Sequence, residues 1–193
     1  GNVAVGISAL YSNLTGGNNT AVGRSALLNN KGSNNTGLGD NALNSNNTGF
    51  SNVSIGIRSL YYNTNRSNLV AVGDSALYNN GLGATLPNHA TKNTALGSKA
   101  LFGNTLGDDN TAVGFSALKT NTTGVNNTAV GTQALENFNS GFNNVAMGLD
   151  AMKNKTSGNN NVAIGTGSLL FNTNGSTNTA LGVDAGIGAT GSD

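Results

Sequence analysis

The chain offers few residues that do chemistry. It has no Cys, one His (His89), eight acidic and nine basic residues among 193. A nucleophile–base–acid constellation would have only His89 as its base, and no partner spacing supports one. A metal site at His89 would need a second imidazole or a thiolate, so neither metal nor cofactor is expected. Asp40 and Asp74 stand at equivalent places in a repeated unit, two units apart, and Asp150 and Asp184 are related in the same way. If units stack at strand spacing, roughly 9.6 Å separates each pair of backbones. That is within reach of an inverting glycosidase. Solvated carboxylates beside turns explain both pairs more simply, and no enzyme is expected. The calcium-binding Gly-Gly-x-Gly-x-Asp nonapeptide and the Gly-Lys-Ser/Thr phosphate loop are both absent.

What positions these residues is a repeat. A motif of Asn, Thr or Val, a small residue, an aliphatic and Gly recurs with its Gly at 6, 23, 39, 56, 73, 97, 114, 131, 148, 165 and 182. The step is about 17 residues, one shorter between Gly23 and Gly39 and about seven longer between Gly73 and Gly97. Each unit reads N-[TV]-A-[VLIM]-G-x-x-A-L-x-x-N-x-x-G-x-N. The whole of 1–193 is thus one repeat domain, with a loop insertion at about 81–92 and a degenerate last coil at 178–193. The second position is always β-branched and the fourth always aliphatic or Met, which is strand chemistry. Gly and the 36 Asn suit turns. These features predict an all-β parallel solenoid of about eleven coils. The S-A-L-x segment reads as a second short strand.

Stacking places like residues in columns. One column, Asn13, Asn30, Asn46, Asn63, Asn80, Asn104 and Asn121, is expected to form a structural amide ladder. Alternation along N-T-A-V-G puts Thr/Val and the aliphatic on one face, and Ala and Gly on the other. Taking the first pair as interior leaves a smooth outer strip: Ala21 and Gly23, Ala112 and Gly114, Ala129 and Gly131. A strand apolar on both faces is usually covered on both, so this strip predicts a homo-oligomer.

The units N-T-A-V-G-x-x-A-L resemble the head repeats of trimeric autotransporter adhesins, and still more the N-T-A-x-G-x-x-A-L repeats of phage tail fibres. The resemblance covers essentially the whole chain. It implies a left-handed β-roll, a homotrimer, and a place outside the cell, on a cell surface or on a virion fibre. It also implies binding to host glycans or surface proteins. The units are somewhat longer than the usual head repeat, and the chain contains no coiled-coil stalk, anchor or chaperone domain.

The insertion holds the only Pro and the only His. Pro87, Asn88, His89 and Lys92 are its candidate ligand-binding residues, because edge loops of solenoids often carry function. Tyr11, Tyr61, Tyr78 and Phe102 share the position after the Leu and suit packing or a sugar platform. The net charge of +1 and the lack of basic clusters point away from nucleic acid. No apolar run approaches the ~18 residues of a membrane span. The functional expectation is a structural or adhesive fibre segment, acting as rigid shaft or adhesive head. A filament subunit stacking end to end is the alternative, since the repeat begins without a cap. An ice-binding solenoid is a minor one, disfavoured by placing the Thr row inside.

Overall fold

The computed structural model describes residues 1–188. Eleven strands of three residues follow one another: β1 (Val3–Val5), β2 (Thr20–Val22), β3 (Thr36–Leu38), β4 (Val53–Ile55), β5 (Val70–Val72), β6 (Thr94–Leu96), β7 (Thr111–Val113), β8 (Thr128–Val130), β9 (Val145–Met147), β10 (Val162–Ile164) and β11 (Thr179–Leu181). They form a single parallel sheet in chain order. Register is kept from coil to coil, so that Thr111 pairs with Thr128 and Ala112 with Ala129. The chain is a parallel β-solenoid of about eleven turns, and the described residues contain no helix.

Each strand ends at the motif glycine, whose φ lies between 124° and 137° throughout the column. Only Gly adopts that backbone readily. The column also sits against its own copy: a Cβ on Gly23 would lie 2.5 Å from the carbonyl oxygen of Gly39. The glycines therefore serve stacking within one chain.

This geometry corrects the assignment of faces. Ala21, Ala112 and Ala129 are completely buried in the core of the coil, not on an outer strip. The aliphatic column points outward instead, with Leu38 44% and Met147 41% exposed. The reason is volume. The coil interior must also hold the buried Ala and Leu of the S-A-L segment and two columns of Asn. Opposite them only Ala, Gly37 or Ser54 fits, and the longer aliphatics are left outside.

The S-A-L-x segment forms turns, not a second strand. In the second coil Ala26 N–H bonds the Gly23 carbonyl at 3.3 Å, while Ser25 N–H reaches Ile7 of the previous coil and Leu27 N–H reaches Ala42 of the next. Both Ser25 and Leu27 are left-handed, at φ 56° and 51°, and the Leu position repeats this conformation in every coil. A left-handed non-Gly residue costs about 1–2 kcal/mol. Complete burial of a Leu side chain contributes about 1.5–3 kcal/mol, so the residue's own packing offsets the turn it must make.

Two amide columns brace the interior. In the first, each Asn before a strand accepts the next coil's backbone: Asn35 N–H donates to Asn19 Oδ1 at 2.9 Å and Asn52 N–H to Asn35 Oδ1 at 3.0 Å. In the second, Asn46 Nδ2 donates to Asn30 Oδ1 at 2.6 Å and to the Gly49 carbonyl at 2.8 Å, and Asn63 Nδ2 donates to Asn46 Oδ1 at 3.1 Å. Asn80, Asn104 and Asn121 continue this ladder, which starts at Asn13. After Asn121 it is replaced by Phe138 and Lys155, both completely buried. Degeneration of the last coil leaves β11 paired to β10 in register; positions 189–193 of the expected 178–193 segment lie outside the described residues.

Candidate functional site

The insertion is held by a residue that breaks the repeat. Where the preceding coil has Gly49 and the coil after the insertion has Gly107, the fourth coil has Arg66, immediately before the long unit. Its side chain crosses into the next coil, 4% exposed. Nη2 donates to the Ala84 carbonyl at 2.7 Å, and Nη1 donates to those of Leu86 and Pro87 at 2.8 and 3.4 Å. Nε has no partner. Burial lowers the guanidinium's pKa, yet an Arg stays charged, so three carbonyl dipoles surround a cation. The loop's far end is fixed as well. Ala90 is buried and its carbonyl accepts Asn80 Nδ2 at 2.9 Å, while Thr91 Oγ1 donates to the Asn88 carbonyl at 2.9 Å.

Between the braced loop and the preceding coils lies a cleft of about 430 Å³. Phe50, Asn65, Ser67 and Asn68 line one side and Pro87, Asn88, Thr91 and Lys92 the other. Half of Phe50 is exposed. Ser67 Oγ accepts the Phe50 N–H at 3.0 Å and so fixes the floor beneath it. Lys92 Nζ lies 3.8 Å from Asp109. Of the four loop residues singled out in the sequence, Pro87, Asn88 and Lys92 line the cleft. His89 does not: it is half-buried, and its Nδ1 is buried without a partner. Asp108, near His89 and Lys92, has its carboxyl pKa raised by burial and then by Asp109. Phe50, Asn65 and Asn68 escape sequence reading because they stand one or two coils earlier. Arg66 in a Gly column was the signal available.

A second feature is the outer face of the sheet. Its fourth-position column is Val, Leu, Ile or Met in all eleven strands. Leu38, Leu96, Met147, Ile164 and Leu181 are exposed and the Val members half-buried, apart from exposed Val5. The Thr/Val column flanks it, with Thr20 and Thr179 exposed. The Thr row is therefore not inside the coil, contrary to the sequence expectation.

The aromatic row packs along the rod. Tyr78 stacks on Tyr61 (5.4 Å, 13°) and on Phe102 (5.1 Å, 4°), and Tyr62 meets Tyr61 and Tyr78 edge-on. Tyr11, several coils away, stands exposed. In the following coils the column becomes Lys119, Glu136 and Lys153, paired at 3.4 and 4.0 Å.

Three of the four acidic residues considered as catalysts have side-chain partners of their own. Asp40 forms two 2.9 Å hydrogen bonds with Arg24, which hold its carboxyl below the usual range. Asp74 Oδ1 accepts from the Ser75 hydroxyl at 3.0 Å, and Asp150 lies 3.2 Å from Lys153. Among the described residues no three His, Asp or Glu side chains are grouped to hold a metal. No helix among them is long and apolar enough to cross a membrane. No family model matches the chain, and no curated protein or solved structure matches it either.

Proposed function

We propose that the chain is a rigid fibre segment that associates with further copies of itself through the outer face of its sheet and carries an adhesive loop at one edge. The observation that carries this reading is the aliphatic column, apolar in all eleven strands and left outward. At strand spacing it runs for roughly 50 Å. A continuous apolar strip of that length, half-buried to exposed along its run, is the kind of surface that marks an interaction site. Its rungs recur at the coil spacing, and a second copy of the same rod offers the same spacing. Self-association is therefore favoured over an unrelated partner. Three chains around one axis, and display outside a cell or on a virion, follow the resemblance to adhesin heads and tail fibres.

Native mass by light scattering on a size-exclusion column tests the reading. The expected value is three times the chain mass of 19.2 kDa. A monomer overturns self-association. A concentration-dependent polymer in the void volume favours end-to-end stacking instead.

A second reading draws on the same face. With Thr20, Thr36, Thr94, Thr111, Thr128 and Thr179 outside the core, an ice-binding surface is no longer disfavoured by their location. The unequal lengths of Val, Leu, Ile and Met beside them argue against a flat match to ice. Thermal hysteresis by the purified protein would favour that reading, and its absence would close it.

A further inference from the structure

We infer that the cleft beneath the insertion is a binding site for a neutral oligosaccharide of two or three rings. The inference deepens the adhesive part of the fibre reading by giving it a place and a ligand class.

The loop is ordered at a cost that a tolerated insertion would not need. Burying a guanidinium without a carboxylate is unfavourable unless its donors are met, and here loop carbonyls meet Nη1 and Nη2 while Nε stays unpaired. The two departures from the repeat, Arg66 and the insertion, stand on adjacent coils and act on each other. Gly81 gives the Arg66 stem its room, since a Cβ there would lie 2.9 Å from Arg66 Cγ. A loop fixed in advance loses less freedom on binding. Ordering it is therefore useful where something binds.

The lining says what that ligand is. The exposed Phe50 ring offers a flat apolar face of the kind sugars lie on through their C–H groups. Asn65, Asn68 and Asn88 each bring both a donor and an acceptor, and Ser67 and Thr91 bring hydroxyls. Hydroxyl-rich rings need that mixture. No carboxylate lines the cleft, and its one charge, Lys92, has Asp109 beside it. Asp109 partly offsets that charge, and the uncharged donors and acceptors outnumber it, so neutral sugars fit better than acidic sugars or phosphates. A volume of about 430 Å³ lies within the range of small-ligand sites.

The intact chain on an array carrying both neutral and acidic oligosaccharides tests the site, with each retained sugar titrated calorimetrically. Neutral sugars should be retained, with affinity unchanged between low and high salt. Phe50→Ala should weaken binding roughly tenfold or more. Phe142→Ala removes an exposed ring from the equivalent position of a coil without the cleft, and should change nothing. Lys92→Ala should stay within about twofold of wild type, well below the tenfold expected from a contact worth 1.4 kcal/mol. Arg66→Gly, which restores the repeat, should weaken binding while leaving native mass unaltered. Failure to retain any sugar overturns the inference. So does full binding by Phe50→Ala, or a preference for acidic sugars that salt and Lys92→Ala abolish. Native mass decides self-association separately, so the two readings fail independently.

Discussion

The Nζ of Lys155 lies 2.8 Å from Oδ1 of Asn172, one coil further on, and 2.5 Å from the carbonyl of Gly175. The side chain is completely buried and stands where earlier coils carry the ladder Asn. Its ammonium donates to the next coil, whereas those Asn residues donate back to the previous one, and it brings a charge. Its effect reaches the turn that follows. Gly107 and Gly124, clasped through their carbonyls by Asn104 and Asn121 at 2.9 and 3.2 Å, keep ordinary φ. Gly141 and Gly158, three residues after Phe138 and Lys155, turn to φ 126° and 113°. Only a residue without Cβ makes that change easily.

Burial pushes the Lys155 ammonium down to about 8, from about 10.4 in an unfolded chain. Below pH 8 both states carry the proton and the full desolvation penalty stands. Between pH 8 and about 10 the unfolded chain binds more protons, so stability rises with pH. The expected gain is up to about 1.4 kcal/mol per pH unit over that window. Above it, ionisation of tyrosines in the unfolded chain opposes the trend, since Tyr78's pKa is raised in the fold. Tm followed by circular dichroism from pH 7.5 to 10 should climb for wild type and stay flat for Lys155→Met. A flat wild-type profile would show that the amine is solvated.

The amide ladder makes the next prediction. Asn46→Ala removes the donor to Asn30 Oδ1 and to the Gly49 carbonyl, and the acceptor for Asn63 Nδ2. Three buried polar groups then lose one of two partners. Asn35 Nδ2 still donates to Asn30 Oδ1 and the Gly49 carbonyl, and Asn63 Nδ2 still donates to the Arg66 carbonyl. Each lost bond is worth about 0.5–1.5 kcal/mol. The loss should reach about 2 kcal/mol or more in denaturant unfolding. Asn47→Ala, its exposed neighbour, should cost less than about 0.5 kcal/mol. Equal effects would mean that the ladder is not what braces the coil.

Much of this was legible in the sequence, and the exception is instructive. The 17-residue period, the motif strands and the Asn columns follow from spacing and residue type alone. The inward face did not, because in a three-residue strand both faces are apolar and alternation permits either choice. A size pattern decides it. The third position is always Ala, Gly or Ser, whereas the fourth ranges over Val, Leu, Ile and Met. A crowded interior restricts volume and a surface tolerates its variation. The cleft was half visible: the insertion and three of its residues were marked, but Phe50 reaches them only through stacking. Arg66 in a Gly column pointed the same way.

The two faces therefore respond oppositely to charge. Leu96→Lys with Met147→Lys places ammonium groups on the outer face, where water can reach them in a monomer. The circular dichroism spectrum should be retained and the native mass should fall to one chain. Ala112→Lys drives a long cation into the core, where it has neither room nor partner, and should unfold the surrounding coils. A soluble, folded Ala112→Lys protein would return the Ala column to the surface.

Arg66→Gly separates the brace from the rod. The backbone around position 66 already matches that of the Gly coils, and the Arg66 carbonyl can still accept Asn52 and Asn63 at 2.9 and 3.1 Å. The rod should keep its fold. The loop loses its bonds to Ala84, Leu86 and Pro87, and amides in 81–89 should exchange hydrogen faster, while those of Thr94–Leu96 in β6 stay protected. Local opening of this kind is set by how few buried contacts a segment retains, and here the Arg66 side chain supplies several of them. Unchanged exchange in 81–89 would show that the loop orders itself, and that the buried guanidinium is held in place by the loop and does not order it.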